Sequence, residues 1–343
     1  MHIQRKSSSL FDKVGNRHSL AIAAIIMCTA LWGLSFISSK SLLIAGLTPI
    51  QIISARFTLA TVVFLGLYLT RRFLKYRHDK GSISDQYPQH HPLTPDHSNS
   101  RGFMVKAALA AVVGIPVYFL LEVVGLRFTS AGTASLIIGL TPVINAIILL
   151  AFFKTGIARF QWMGIIMSCL GVYIVAQADI NLSISGTTMI GNLLIFLSAC
   201  SWVIFTMMNK PLISKYDNLT INTYQHLVGT IILLLLAIFK GGIPFARWNL
   251  WVWINILYLG IFCSALGFFL YLFALKSLSS TVITSFINLV PFVSILGARV
   301  FLGEPISWVR FLGGTLTIAG VYTVSSLKAS STQTLPCKSA DAR

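Results

Sequence analysis

Leu126-Arg127-Phe128-Thr129-Ser130 returns 149 positions later as Leu275-Lys276-Ser277-Leu278-Ser279. Without a gap, Pro142 then falls on Pro291, Gly164 on Gly313, and Gly171-Val172-Tyr173 on Gly320-Val321-Tyr322. Upstream, Trp32 and Lys40 recur as Trp202 and Lys210 at an offset of 170. The 21-residue difference between the offsets is absorbed by a polar insert in the first copy, Arg71 to Arg101. A chain written twice takes its architecture from its repeat unit.

Each copy is apolar. Of 343 residues 55% are hydrophobic and 10% charged, against about 25% charged in an ordinary soluble domain. Such a chain cannot cover its surface with polar groups, so lipid is its solvent. About 20 apolar residues cross a bilayer as a helix. Ten such stretches are read, at 20–44, 49–70, 103–125, 130–153, 160–178, 188–209, 219–239, 250–274, 281–302 and 308–327. The sequence therefore predicts an all-α integral membrane protein of ten transmembrane helices in two five-helix repeats. Five is odd, so the second copy enters from the opposite face and the repeats are inverted. That arrangement places a site between the halves and builds alternating access. The expected domains are a polar tail at 1–19, a first repeat at 20–178 with a flexible polar loop at 71–101, a second repeat at 188–327, and a tail at 328–343.

The net charge of +17 raises the question of nucleic acid, and its placement answers it. With the N-terminus in the cytoplasm, nineteen Lys and Arg fall on the cytoplasmic side and six on the other, with Arg56 inside a span. This positive-inside bias puts both termini in the cytoplasm. The expected partners are the bilayer, a small-molecule substrate and a second copy of the chain, with no nucleic acid. No cofactor and no metal are expected. His78, His90, His91 and His97 in the insert have no settled ligand spacing. The five cysteines show no CxxC spacing and read as reduced packing residues.

Candidate site residues follow from polar groups inside spans. Trp32, Ser35 and Ser39 share a stripe of span 1, and Trp202 and Asn209 repeat it in span 6; the alternative for the tryptophans is lipid contact. Tyr118, Asn145, Tyr271 and Asn288 add hydrogen-bonding capacity to spans 3, 4, 8 and 9. Pro142 and Pro291 each free a carbonyl one turn earlier, as a static kink or as part of a shared cavity. Few ionisable groups lie deep within spans, Arg56, Glu122 and His226, with Lys40 near a helix end, and such groups are expensive in lipid. Arg56 is a candidate for anion recognition, or snorkels. Glu122 is a candidate coupling carboxylate, or pairs with Arg127 or Lys40. His226 is a candidate proton relay, or packs. Gly164, Gly171, Gly313 and Gly320 are the vocabulary of close helix packing, expected at the periphery, each helix on its own half.

With these residues in hand, the chain resembles a known family. Trp32-Gly33-Leu34-Ser35-Phe36, Thr48-Pro49 and Ala55-Arg56-Phe57 look like the opening of an EamA domain. Ala274-Leu275-Lys276, Pro291, Leu302-Gly303-Glu304-Pro305 and Gly313 to Gly320-Val321 look like the close of a second. The chain is similar to EamA-type permeases of the drug/metabolite transporter superfamily over nearly all of 20–327. The resemblance implies a cavity lined by spans 1, 3, 4, 6, 8 and 9, and export of amino acids or other small metabolites across a bacterial inner membrane. An importer or an exchanger of phosphate compounds is the alternative. A membrane enzyme is disfavoured, since no His-Glu-x-x-His, Gly-x-Ser-x-Gly or paired intrahelical carboxylates occur. Where the second copy has Gly303-Glu304-Pro305 the first has Lys154-Thr155-Gly156, so Glu304 reads as a cap or as a partner of Arg299 or Arg310.

The topology is checked with reporter fusions. Fusions at Ser84 and Ser330 are expected to report cytoplasm and one at Asn181 the opposite side; a fusion at Ser84 reporting the outer side would overturn the ten-span reading.

Overall fold

The computed structural model describes residues 2–81, 100–129, 131–154, 157–177, 186–243, 245–302 and 308–326. The first half holds α1 (His2–Ile44), α2 (Pro49–Gly81), α3 (Ser100–Val112), α4 (Tyr118–Phe128), α5 (Ala131–Ile138), α6 (Thr141–Phe153) and α7 (Arg159–Gln177). The second holds α8 (Gly186–Lys215), α9 (Asn218–Phe239), α10 (Leu250–Leu257), α11 (Gly267–Ser277), α12 (Ser280–Phe286), α13 (Leu289–Leu302) and α14 (Trp308–Ser326). A π-helical stretch, Val113–Val117, joins α3 to α4, and another, Tyr258–Leu266, joins α10 to α11. Among the described residues every regular element is helical, because in lipid a helix satisfies its own backbone.

Among the described residues six helices are long and apolar enough to cross a membrane: Arg17–Ile44, Pro49–Arg77, Arg101–Phe128, Gly186–Lys215, Asn218–Phe239 and Leu250–Ser277. The other stretches read as spans are shorter or interrupted. Large apolar side chains face outward, Phe239 at 83% and Trp308 at 80% exposure, an arrangement suited to lipid and not to water.

Several expectations are revised. α1 begins at His2, so most of the predicted 1–19 tail is helical. The polar insert begins as helix too: α2 runs on to Gly81, with Arg77 over the Phe73 ring one turn back. The His90-His91-His97 stretch, Glu304, and the tail from 327 lie outside the described residues. Pro142 and Pro291 do not kink continuous helices. Spans 4 and 9 are broken ahead of them, at Gly139-Leu140 and at Ile287-Asn288, and each proline sits in the first turn of the following segment. A proline has no N–H to donate, so the first turn of a helix is where it fits.

Local signals set the helix starts. Thr48 and Gln51 cap α2 reciprocally, each side chain accepting from the other's backbone N–H at 3.0 and 3.3 Å. Asp217 caps α9 through Thr220 N–H and also takes a 2.7 Å ion pair from Arg71 of α2. Gly46, at φ +90°, makes the tight turn between α1 and α2.

The halves pack chiefly on each other. α1 lies on α11, α4 on α8, α2 on α9, and α7 on α14. The last contact corrects the expectation that the glycine-bearing helices pack within their own halves. A Cβ on Gly171 would lie 2.5 Å from the Gly313 carbonyl oxygen, and one on Gly164 2.7 Å from that of Gly320. As the numbers rise on one helix they fall on the other, so α7 and α14 run antiparallel at backbone contact.

Gly171→Leu and Gly320→Leu are expected to cost about 1–3 kcal/mol each by overpacking. Gly66, with nothing within 4 Å of its added Cβ, is expected to accept Ala freely. Thermal unfolding in detergent checks the contrast.

Candidate functional site

The two breaks border a cavity of about 420 Å³, its open mouth included. α1 supplies Trp32, Ser35 and Phe36, and α4 supplies Tyr118, Phe119 and Glu122. Trp202 of α8 and Arg56 of α2 face it, and Ile138, Ile287 and Val290 come from the two broken spans. Ile138 and Ile287 are equivalent across the repeat, as each is the last residue before Gly139 or Asn288.

The walls are aromatic and mutually braced. Trp32 and Trp202, equivalent in the two copies, meet edge to face with centroids 5.0 Å apart. Tyr271 backs both, at 5.4 and 4.9 Å, and its hydroxyl shares a 2.5 Å hydrogen bond with Thr206. Trp32 Nε1–H donates to the Cys263 carbonyl at 2.9 Å, inside the second π-helical stretch, where a carbonyl is released from the α pattern. Trp202 Nε1 is buried with no acceptor.

Two charged groups share this setting. Arg56 is 2% exposed. Its Nε–H donates to Ser264 Oγ at 2.9 Å, and its guanidinium carbon stands 4.5 Å over the Phe119 ring. It does not snorkel, because the phenyl face and the Ser264 hydroxyl hold it at depth. Glu122 is 5% exposed, and its Oε2 is buried without a hydrogen-bond partner. The two do not form an ion pair; among the described residues that role falls to Arg71 and Asp217. Neither structural partner weighed for Glu122 is engaged with it. Lys40 Nζ is committed to the Leu126 and Thr129 carbonyls, and Arg127 is exposed at the end of α4.

Other candidates lie outside the cavity lining. Ser39 is buried farther along α1. Asn209 donates to the Phe205 carbonyl and accepts from Gln225 at 2.9 Å. Asn288, in the second break, donates to Ser168 Oγ at 2.6 Å. Asn145 is fully buried with both side-chain polar atoms unpartnered. His226 is enclosed by Phe57, Phe64 and Phe268, with Nδ1 on the Asn222 carbonyl, the packing alternative rather than a place beside the substrate path. Pro142 and Pro291 are buried just beyond the breaks that reach the cavity. Sequence reasoning missed the apolar lining, Phe119 and Ile138 above all. Their recurrence as Phe268 and Ile287 was the available signal.

The sequence model of the EamA-like transporter family matches residues 19–177 and 189–326. An uncharacterized transporter of Archaeoglobus fulgidus is 24% identical, covering 88% of this chain and 96% of its own. The uncharacterized transporter YyaM of Bacillus subtilis is 28% identical over 67% of this chain and 76% of its own. A probable terminal-alkyne amino-acid exporter of Streptantibioticus cattleyicolor is 29% identical over 64% of this chain and 72% of its own. A solved crystal structure superposes with a TM-score of 0.66 at 15% identity, covering 90% of this chain and 96% of that one, a likeness of fold alone.

The two tryptophans are expected to respond differently to removal of the indole N–H. Trp32→Phe strands the Cys263 carbonyl and is expected to cost about 1 kcal/mol or more of stability. Trp202→Phe removes the same indole volume but strands no backbone carbonyl, so it is expected to be the less costly of the two. Melting curves of the two variants in one detergent settle it, and equal losses would overturn the assignment.

Proposed function

The chain belongs to the EamA-like transporter family, and on that premise we propose that it exports a small amino-acid-like zwitterion by alternating access through the cavity described above. One observation carries this reading: Arg56 and Glu122 face the same aromatic cavity, bear opposite charges, and do not pair with each other. A buried charge without a partner is costly. A zwitterion answers both at once. Its carboxylate takes the guanidinium N–H groups in a charge-assisted pair, and its ammonium takes the free Glu122 oxygen. A molecule with one charge leaves the other protein charge stranded, so selectivity follows from the same cost. The apolar part of the substrate fits among Trp32, Trp202, Phe36 and Phe119.

The amino-acid exporter among the relatives supports the substrate class. A phosphate compound fits less well, because one guanidinium would face two negative charges while Glu122 repels them. Import of the same class stays the alternative in direction.

Ten spans in two inverted repeats are part of the proposal. Antiparallel α7 and α14 are corresponding helices of the two copies, which supports a reversed sense for the halves. So does the exchange of partners, with α1 on α11 matched by α4 on α8. Cytoplasmic termini are supported by the nineteen-to-six charge asymmetry, and a bacterial inner membrane by the bacterial setting of relatives such as YyaM. Glu122 is then the coupling candidate facing the substrate, and His226 is set behind it.

The test is flux in proteoliposomes. Saturable transport of radiolabelled L-leucine is expected, with its methyl ester and its N-acetyl derivative each carried at least about tenfold less well, the cost of one unpaired buried charge. Glu122→Gln is expected to weaken the discrimination against N-acetyl-leucine, and Arg56→Gln that against the ester. Equal transport of all three compounds, or leucine flux that survives both substitutions unchanged, would overturn the reading.

A further inference from the structure

Two lysines outside the cavity are bound in the same way at matching positions of the repeat. Lys40 Nζ, near the end of α1, donates to the Leu126 carbonyl at 2.5 Å and the Thr129 carbonyl at 2.9 Å. Lys210 Nζ, late in α8, donates to the Leu275 carbonyl at 2.6 Å and the Leu278 carbonyl at 2.5 Å. Lys210 follows Lys40 by 170 positions, and each of its acceptors follows the corresponding one by 149. The two clasps are thus one device built twice.

Each clasp closes the C-terminus of a helix next to the cavity, where free carbonyls and the negative end of the helix dipole favour a cation. It does more than cap. One acceptor belongs to the last turn of α4 or α11, and the other lies just past it, in the short turn leading to α5 or α12. The amine therefore fixes the turn itself. From that turn α5 runs eight residues to the break at Gly139, and α12 runs seven to the break at Ile287. Each short helix is tied at its first end by a lysine and free of the continuous α pattern at its second, where Ile138 and Ile287 meet the cavity.

We infer that Lys40 and Lys210 are positioning residues for transport, the fixed pivots of two matched gates formed by α5 and α12. A hinge needs one held end and one yielding end, and the clasp and the break supply them. The inference rests on the alternating-access reading and is independent of the substrate proposed for it. In the inverted ten-span topology Lys40 lies at the outer face and Lys210 at the cytoplasmic face, so each pivot governs access from its own side.

That sidedness is what a general stabilising role would lack, and it is measured without transporting anything. Ser35→Cys places a thiol on the cavity wall, and a membrane-impermeant maleimide is applied to right-side-out and to inside-out vesicles, with the chain lacking this change giving the background of the native cysteines. Adding Lys40→Met is expected to change the outer-face labelling rate on the order of tenfold, as loss of hydrogen bonds to a charged group implies, and to leave the other face within about twofold. Lys210→Met is expected to do the reverse. Lys→Arg, which keeps charge and donors, is expected to restore the parent rates at each site. If either methionine variant fails to reach the membrane, Lys→Gln takes its place in the same comparison. Rates that change equally on both faces, or on neither, overturn the inference.

Discussion

A carbonyl released inside a bilayer has no water to turn to, and this constraint organises the protein. At four places among the described residues where the backbone leaves the α pattern, a side chain or nearby N–H has been brought to a carbonyl. The Thr141 hydroxyl donates to the Ile138 carbonyl at the first break, and Val290 N–H reaches the Ile287 carbonyl at the second. In the π-helical stretches Ser201 takes the Val113 carbonyl at 2.7 Å and Trp32 takes that of Cys263. Tyr258 and Ser294 also donate to carbonyls of the unbroken helix α1, at Leu31 and Gly33. Most of these donors come from another helix. The irregular backbone that opens a cavity is thereby also what fastens one half to the other.

The cavity is less symmetric than the chain that builds it. At the offset of 170 Arg56 corresponds to His226, and at 149 Glu122 corresponds to Tyr271. Both charges of the site come from the first half, while the second answers with an enclosed imidazole and a phenol. The repeat frames the cavity on both sides, and these two positions break the match. Trp32 and Trp202 keep the older symmetry, yet only one of them has an acceptor for its N–H.

How much of this was legible in the sequence differs by kind of information. Repeat spacing and apolar run length follow directly from residue identity, and they carried the helical membrane architecture. Charge in an apolar run is equally conspicuous, so Arg56 and Glu122 stood out before their surroundings were known. Periodicity gives the face of a helix but not its neighbours. Asn209, Asn288 and His226 sit on polar stripes that meet other helices instead of a cavity. Ile138, Ile287 and Phe119 line the cavity, but an isoleucine facing a substrate and one facing lipid look alike. Pro142 and Pro291 signalled an interruption, though whether a kink or a full break follows depends on the residues just ahead. Gly139 and Asn288 favour the break: one supplies no side chain, the other a carboxamide that bonds to Ser168.

The cross-half packing has a consequence for how the protein is made. α1 lies on α11, α2 on α9, and α7 on α14, so the half synthesised first makes only its smaller contacts by itself. The Ser264 hydroxyl that accepts from Arg56 is made 208 residues later. During that interval the guanidinium has Phe57 and Phe119 of its own half beside it but lacks the Ser264 hydroxyl and the Trp202 ring. Biogenesis of this chain is then a delayed assembly, in which the second half acts as a template that completes the first. Its vulnerable moment falls in translation, before transport begins.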